Sequence, residues 1–157
     1  MSEPVNLRRR SRTDMALLLA LFSDAVAEQF GSLPQPQRQQ LIRHQFDMRE
    51  RQYRHSWPDA IDQIVIFDGT ACGRRFWHED AAELRLIDIA LLSGFRNSGV
   101  GSKLIRDLQQ RSDAKSKPLR LSVRTENPAC KLYRRLGFGV IGQDDIYLHM
   151  EYAPRSD

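Results

Sequence analysis

Two short strings in this 157-residue chain carry residue types that could do chemistry. The first, Arg96-Asn97-Ser98-Gly99-Val100-Gly101, stands where a run of Leu and Ile hands over to an amphipathic stretch, a strand leading into a helix. Gly99 and Gly101 remove side chains where an anion must approach, and the first turn of a helix offers unpaired N–H groups at the positive end of its dipole. A pyrophosphate fits such a turn. Glycines at this spacing also make a plain tight turn, and on spacing alone the two readings weigh equally. Two familiar nucleotide signatures fail. Gly94 and Gly99 keep the four-residue gap of the P-loop, but Val100-Gly101 stands where Lys and Ser or Thr are needed, and the glycines of this string do not have the G-x-G-x-x-G spacing. ATP and NAD are therefore poor fits.

The second string is Asn127-Pro128-Ala129-Cys130-Lys131-Leu132-Tyr133-Arg134-Arg135-Leu136-Gly137-Phe138. Asn127-Pro128 reads as a helix cap with proline at the first position, and Gly137 as the closing glycine. Tyr133 offers a hydroxyl; as an ordinary helix residue it would pack beside Leu132 and Leu136. Arg96-x-x-Gly99-x-Gly101 after Asp88-Ile89-Ala90-Leu91-Leu92, followed by Asn-Pro-Ala-x-x-Leu-Tyr-x-x-Leu-Gly-Phe, resembles the GCN5-related N-acetyltransferase (GNAT) superfamily. Arg8-Arg9-Arg10 with Thr13-Asp14 is similar to that family's opening strand and helix, so the resemblance spans nearly the whole chain.

The resemblance implies acetyl-CoA as cosubstrate, no metal, and an α/β fold with a central mixed sheet flanked by helices. In it the central strand splays from its neighbour, and the backbone of Ile89, Ala90, Leu91 and Leu92 meets the pantetheine arm. Arg96, Asn97, Ser98, Gly99, Val100, Gly101 and Ser102 would hold the pyrophosphate, Asn127 and Ala129 would sit at the pantetheine, and Tyr133 near the thioester sulfur. The chemistry follows without the family: an amine attacking a thioester builds negative charge on the carbonyl oxygen, which a backbone N–H such as that of Leu91 stabilises. The leaving thiol, of pKa about 8.5, departs readily. Tyr133 as general acid adds about 10²-fold. Where well-known members place Glu or His as base, this chain has Arg85, Ile87 and Ser122. Strand alternation sets Asp88 on the opposite face from Arg85 and Ile87. His149, Asp145, Glu83 and His78 are further candidates, and an amine that arrives neutral needs only orienting.

The elements that must position these groups read as follows. Residues 5–10 form a strand; from Thr13-Asp14 a helix carries Leu17, Leu18, Leu21, Phe22, Ala25 and Val26 at helical spacing. After Pro34 and Pro36, residues 37–53 form a second helix with Leu41, Ile42, Gln45, Phe46 and Arg49 on one side. Residues 63–67 and 71–77 make a hairpin through Asp68-Gly69, residues 78–81 a turn, 84–92 a buried central strand and 99–111 a helix. A strand at 119–123, the Asn127 helix, a turn at Gly142 and a last strand at 145–152 complete a mixed α/β sheet.

Composition narrows the class. The length suits one N-acetyltransferase domain, and 41% hydrophobic with 28% charged residues is ordinary for a globular protein. The longest apolar run, residues 15–22, falls short of the roughly 20 residues of a membrane span, and no signal peptide is evident, so a cytoplasmic protein is expected. Cys72 and Cys130 lack metal-ligand or disulfide spacing. The net charge of +4 is scattered, and Arg8-Arg9-Arg10 on a strand would point to alternating faces, which disfavours nucleic acid. Phe30, Leu33, Phe46, Tyr53 and Trp57 are candidate walls for the acceptor, with Arg49 and Arg54 available to a carboxylate. The expected function is acetyl transfer from acetyl-CoA to a primary amine, a small molecule ahead of a protein N-terminus or lysine; a CoA-binding regulatory module is the other class. A homodimer through a sheet edge is compatible with this architecture.

Overall fold

The computed structural model describes residues 4–156. β1 (Val5–Arg9) leads into α1 (Met15–Val26) and α2 (Gln35–Ser56); then come β2 (Ile61–Phe67), β3 (Thr70–Glu79) and β4 (Leu84–Leu91). α3 (Val100–Lys115), β5 (Leu119–Arg124), α4 (Ala129–Arg135), β6 (Gly139–Gln143) and β7 (Tyr147–Tyr152) follow. The strands form one mixed sheet in the order β1-β2-β3-β4-β5-β7-β6, in which only the β4–β5 pair is parallel. On one face Leu18, Leu21 and Phe22 of α1 and Ile42 and Phe46 of α2 pack against Ile64. On the other, Ile105 and Leu108 of α3 and Cys130 and Tyr133 of α4 pack against Leu84, Leu86, Leu119, Leu121 and Met150. Among the described residues no helix is long and apolar enough to cross a membrane. Both cysteines are buried and free.

Three readings of the sequence change here. The turn expected around Gly142 lies inside edge strand β6, which pairs with β7 from Gly139–Glu151 to Gln143–Leu148. Two glycines in five residues look like a turn locally, and only the partner strand makes them a strand. β3 runs on to Glu79, through the start of the expected turn at 78–81. The inward face of α2 is also rotated. Ile42, Phe46 and Glu50 are buried at i, i+4 spacing while Leu41 is 41% exposed.

Glu50 faces inward because Arg74 waits for it. Arg74, 2% exposed, donates from Nη1 to Glu50 Oε2 at 2.8 Å and from Nε and Nη2 to the two oxygens of Asp62 at 2.9 and 2.8 Å. Arg10 approaches the same carboxylates, at 3.4 Å from Asp62 and 3.7 Å from Glu50. Burial alone would lower the Arg74 pKa, but the hydrogen bonds to Asp62 and Glu50 outweigh it and push it above the ordinary arginine range. Removing one partner of a buried pair leaves a bare charge, at a cost of about 3–5 kcal/mol. Arg74→Ala is therefore expected to lose stability of that order in urea denaturation, because Glu50, 3% exposed, would lose both its hydrogen bonds and keep only the longer approaches of Arg10 and Arg49 at 3.7 and 3.6 Å. A loss below about 1 kcal/mol, within the range of exposed pairs, would contradict the network's role in holding α2 on the sheet.

Candidate active site

The cleft begins where two strands part. β4 and β5 pair only at Leu84–Leu119, Arg85–Arg120 and Leu86–Leu121; beyond them β4 runs to Leu91 and β5 to Arg124 unpaired with each other. At that point β4 also bulges. Leu86 pairs with Trp77 and Asp88 with Phe76, so Ile87 is an extra residue against β3. A bulge resets the alternation of side chains. Before it, Leu84 and Leu86 face α3 and α4; after it, Ile89 and Leu91 do, while Ala90 and Leu92 pack toward α1 and α2. Asp88 thus shares a face with Arg85, contrary to the expectation from simple alternation, and it points to the α2 side, where Arg49 meets it at 3.5 Å.

The same parity sorts the backbone. Leu92 N–H donates to Cys72 O at 2.8 Å, so its neighbours alternate: Ala90 also bonds toward β3, and the N–H groups of Ile89 and Leu91 turn away from β3 into the splay. Of the four residues expected along the pantetheine, Ile89 and Leu91 offer free amides there and Ala90 and Leu92 do not.

Beyond Leu91 the chain makes a short 3-10 turn, Ser93–Phe95, and enters the glycine string. Arg96 Nε donates to Leu91 O at 3.1 Å and Ser98 Oγ to Phe95 O at 2.5 Å, which ties the string back on β4. Asn97 (φ 61°) and Gly99 (φ 85°) are left-handed, and Gly99 caps α3 without any side-chain hydrogen bond. The first intrahelical bond runs from Lys103 N–H to Gly99 O, so the N–H groups of Val100, Gly101 and Ser102 have no intrahelical acceptor. The Val100 side chain is buried, which leaves only its backbone for a ligand. A Cβ on Gly101 would meet nothing closer than Leu132 Cδ2 at 3.9 Å and Leu91 Cδ1 at 4.0 Å, so the fold itself does not require glycine there. The string thus leaves three unpaired amides in open space at the wide end of the splay.

α4 packs on the α3 face of the sheet, its Cys130 and Tyr133 in one cluster with Leu86 of β4 and Leu121 and Val123 of β5. Asn127 Oδ1 accepts the Ala129 N–H at 2.9 Å, capping the helix and leaving the amide NH₂ free to donate. Tyr133 is 6% exposed, its ring set edge-on to Phe138 at 5.6 Å, and its hydroxyl has no partner among the described residues. Burial, reinforced by the Asp88 charge, pushes its pKa above the ordinary tyrosine range and keeps it protonated.

On the acceptor side, burial pushes the Asp88 carboxyl up, against the pull of Arg49 and Arg74. Its side chain is 15% exposed, but Oδ2 is covered and lacks a hydrogen bond, as does Arg49 Nε. Arg49 stacks over the Phe22 and Tyr53 rings. A cavity of about 380 Å³ opens beside them, lined by Glu50, Tyr53, Arg54, Trp57, Asp62 and Phe76 among others. Tyr53 and Trp57 line this cavity, whereas Phe46 is fully core. Of the other candidate bases, Glu83 is taken by Arg85 and Arg120, and the His78 ring packs on Trp57. His149 is joined to Ser122 and Asp144. Sequence reasoning passed over Glu50, Asp62 and Arg74. Among the described residues no cluster of His, Cys, Asp and Glu could hold a metal.

A family model described as an acetyltransferase (GNAT) domain matches residues 53–140, over half of the chain, from the end of α2 through the glycine string and α4. The chain belongs to this family and is an acetyl-CoA-dependent acetyltransferase. Solved structures share the fold across nearly its full length. The PaiA N-acetyltransferase of Thermoplasma acidophilum, in complex with coenzyme A, has a TM-score of 0.71 at 19% identity, covering 96% of this chain and 99% of that one. A GCN5-related N-acetyltransferase from Rhodopseudomonas palustris gives 0.70 at 14%, covering 98% of each. Ard1 from Thermoplasma volcanium gives 0.63 at 20%, covering 96% and 98%. No curated protein sequence matches the chain.

Proposed function

We propose that this acetyltransferase passes the acetyl group of acetyl-CoA directly to a small primary amine within a ternary complex. The observation that carries the reading is the splay itself, with three unpaired helix-start amides at its wide end, two β4 amides turned into it, and on α4 a protonated hydroxyl without a partner among the described residues. The glycine string takes the pyrophosphate on the amides of Val100, Gly101 and Ser102. The pantetheine arm lies along β4 with the Asn127 amide beside it, and the amides of Leu91 and Ile89 receive the thioester oxygen and the arm next to it, where negative charge develops. Tyr133 gives its proton to the departing sulfur. Asp88 stays on the α2 side between Arg49 and Arg74, with one oxygen covered and without a hydrogen bond. The cavity of about 380 Å³ matches the size of a small-molecule site; Tyr53 and Trp57 give it aromatic walls, and Glu50 and Asp62 on its lining are paired with Arg74 and Arg10.

Thiol release measured over a panel of amines tests this. Amine-dependent release with intersecting initial-rate lines is expected. Parallel lines would contradict direct transfer, and turnover confined to peptide or protein amines would contradict the small-molecule acceptor.

A further inference from the structure

On the sheet face shared by Arg85 and Asp88, three side chains form a hydrogen-bonded line that the scheme above does not use. Asp144, between β6 and β7, accepts the Tyr147 and Ile146 N–H groups on Oδ1 at 2.7 and 2.9 Å, and these bonds hold its carboxyl below the ordinary carboxylate range. Its Oδ2 lies 3.1 Å from His149 Nε2, and His149 Nδ1 lies 2.8 Å from Ser122 Oγ. An ionised carboxylate only accepts, so the neutral imidazole carries its proton on Nε2 and donates it to Asp144. Nδ1 is then an acceptor, and the Ser122 hydroxyl donates to it. The lone pairs of Ser122 Oγ stay available.

The line ends at the cleft. Ser122 is the first β5 residue past the last β4 pair, Leu86–Leu121, and stands at the closed end of the splay. Leu121 and Val123 are buried toward α3 and α4, which turns Ser122 to the opposite face, the acceptor side. His149 is its direct cross-strand partner; on the other side His149 faces Gly142, which has no side chain to cover the ring, and the side chain is 39% exposed. The charged neighbours are engaged elsewhere: Arg120 with Glu83 and Glu151, Arg124 with Glu126. Asp88, by contrast, is held between Arg49 and Arg74 with its free oxygen covered.

We propose that Ser122, His149 and Asp144 form the route by which the acceptor amine loses its proton, an inference that rests on the acetyl-transfer reading. As the C–N bond forms and the C–S bond breaks, the nitrogen gives a proton to Ser122 Oγ while the Ser122 hydroxyl gives its own to His149 Nδ1. The imidazolium, paired with Asp144, releases one proton to water across its open edge. The sulfur leaves with the Tyr133 proton, which solvent replaces, so one proton enters at α4 for each that leaves at His149. Ser122 touches the reacting nitrogen; His149 and Asp144 act through it.

The relay runs only through a neutral imidazole, so it predicts an acid limb of kcat that depends on His149. His149→Gln is expected to lower kcat by about 10²-fold and to abolish that limb, with the KM for acetyl-CoA unchanged and activity partly restored by added imidazole. Ser122→Ala should act alike without imidazole rescue. Both variants within twofold of the parent, with the limb intact, would overturn the relay, as would an acetyl group found on Ser122 by mass spectrometry. ¹⁵N spectra of His149 in the free protein separate this from failure of the acetyl-transfer reading: the Nδ1 signal is expected to move on Ser122→Ala. An Nδ1 signal indifferent to Ser122 would overturn the line whether or not any amine is acetylated.

Discussion

Gly101→Glu is expected to fold as well as the parent and to lose acetyl-CoA affinity by roughly a hundredfold or more. The position is helical with ordinary van der Waals room for a Cβ, so the substitution brings no backbone strain. A carboxylate in the first turn of a helix stabilises it by about 0.3–1 kcal/mol, and replacing glycine inside a helix adds roughly as much. The melting temperature should hold or rise. The same carboxylate then stands where the pyrophosphate must come, and repulsion between charges about 4 Å apart costs about 1–4 kcal/mol between the water and protein-surface limits, before any steric loss. Gly101 separates the two effects better than Gly99, whose φ of 85° would strain any side chain. Calorimetric titration beside thermal denaturation checks this. Unchanged affinity in a folded Gly101→Glu variant would place the pyrophosphate elsewhere.

Tyr133→Phe should lower kcat by about 10²-fold while leaving acetyl-CoA affinity and thermal stability close to the parent's. The ring keeps its place against Phe138 in the α4 cluster, and the lost hydroxyl has no protein partner among the described residues, so nothing buried is left unpaired. The upward shift from burial means that Tyr133 does not ionise through the ordinary tyrosine range, and the parent should show no basic limb from its loss up to pH of about 10. Pre-steady-state thiol release isolates the step. Equal release rates in parent and variant would reduce Tyr133 to a packing residue.

The glycine string and α4 were legible because their signals are local: glycines at a strand-to-helix junction, an Asn-Pro cap and a closing glycine act within a few residues. The parity of β4 was not. Leu84 to Leu91 reads as one alternating run, and the residue that breaks it, Ile87, is extra only relative to β3, so Asp88 came out on the wrong face. β6 escaped for a related reason, since its strand character comes from β7. The buried Arg74, Glu50 and Asp62 group has no local signal because its members lie far apart in the chain and meet only once α2 docks on the hairpin. The Ser122–His149 contact likewise depends on the β5–β7 register, which no local pattern specifies.

Titration of the parent protein with acetyl-CoA, with Gly101→Glu as its control, tests the central claim most directly. The account predicts one site per chain, bound by the parent and lost in the variant. Absence of binding by a folded parent protein would contradict the cleft as a cofactor site and the acetyl-transfer chemistry built on it.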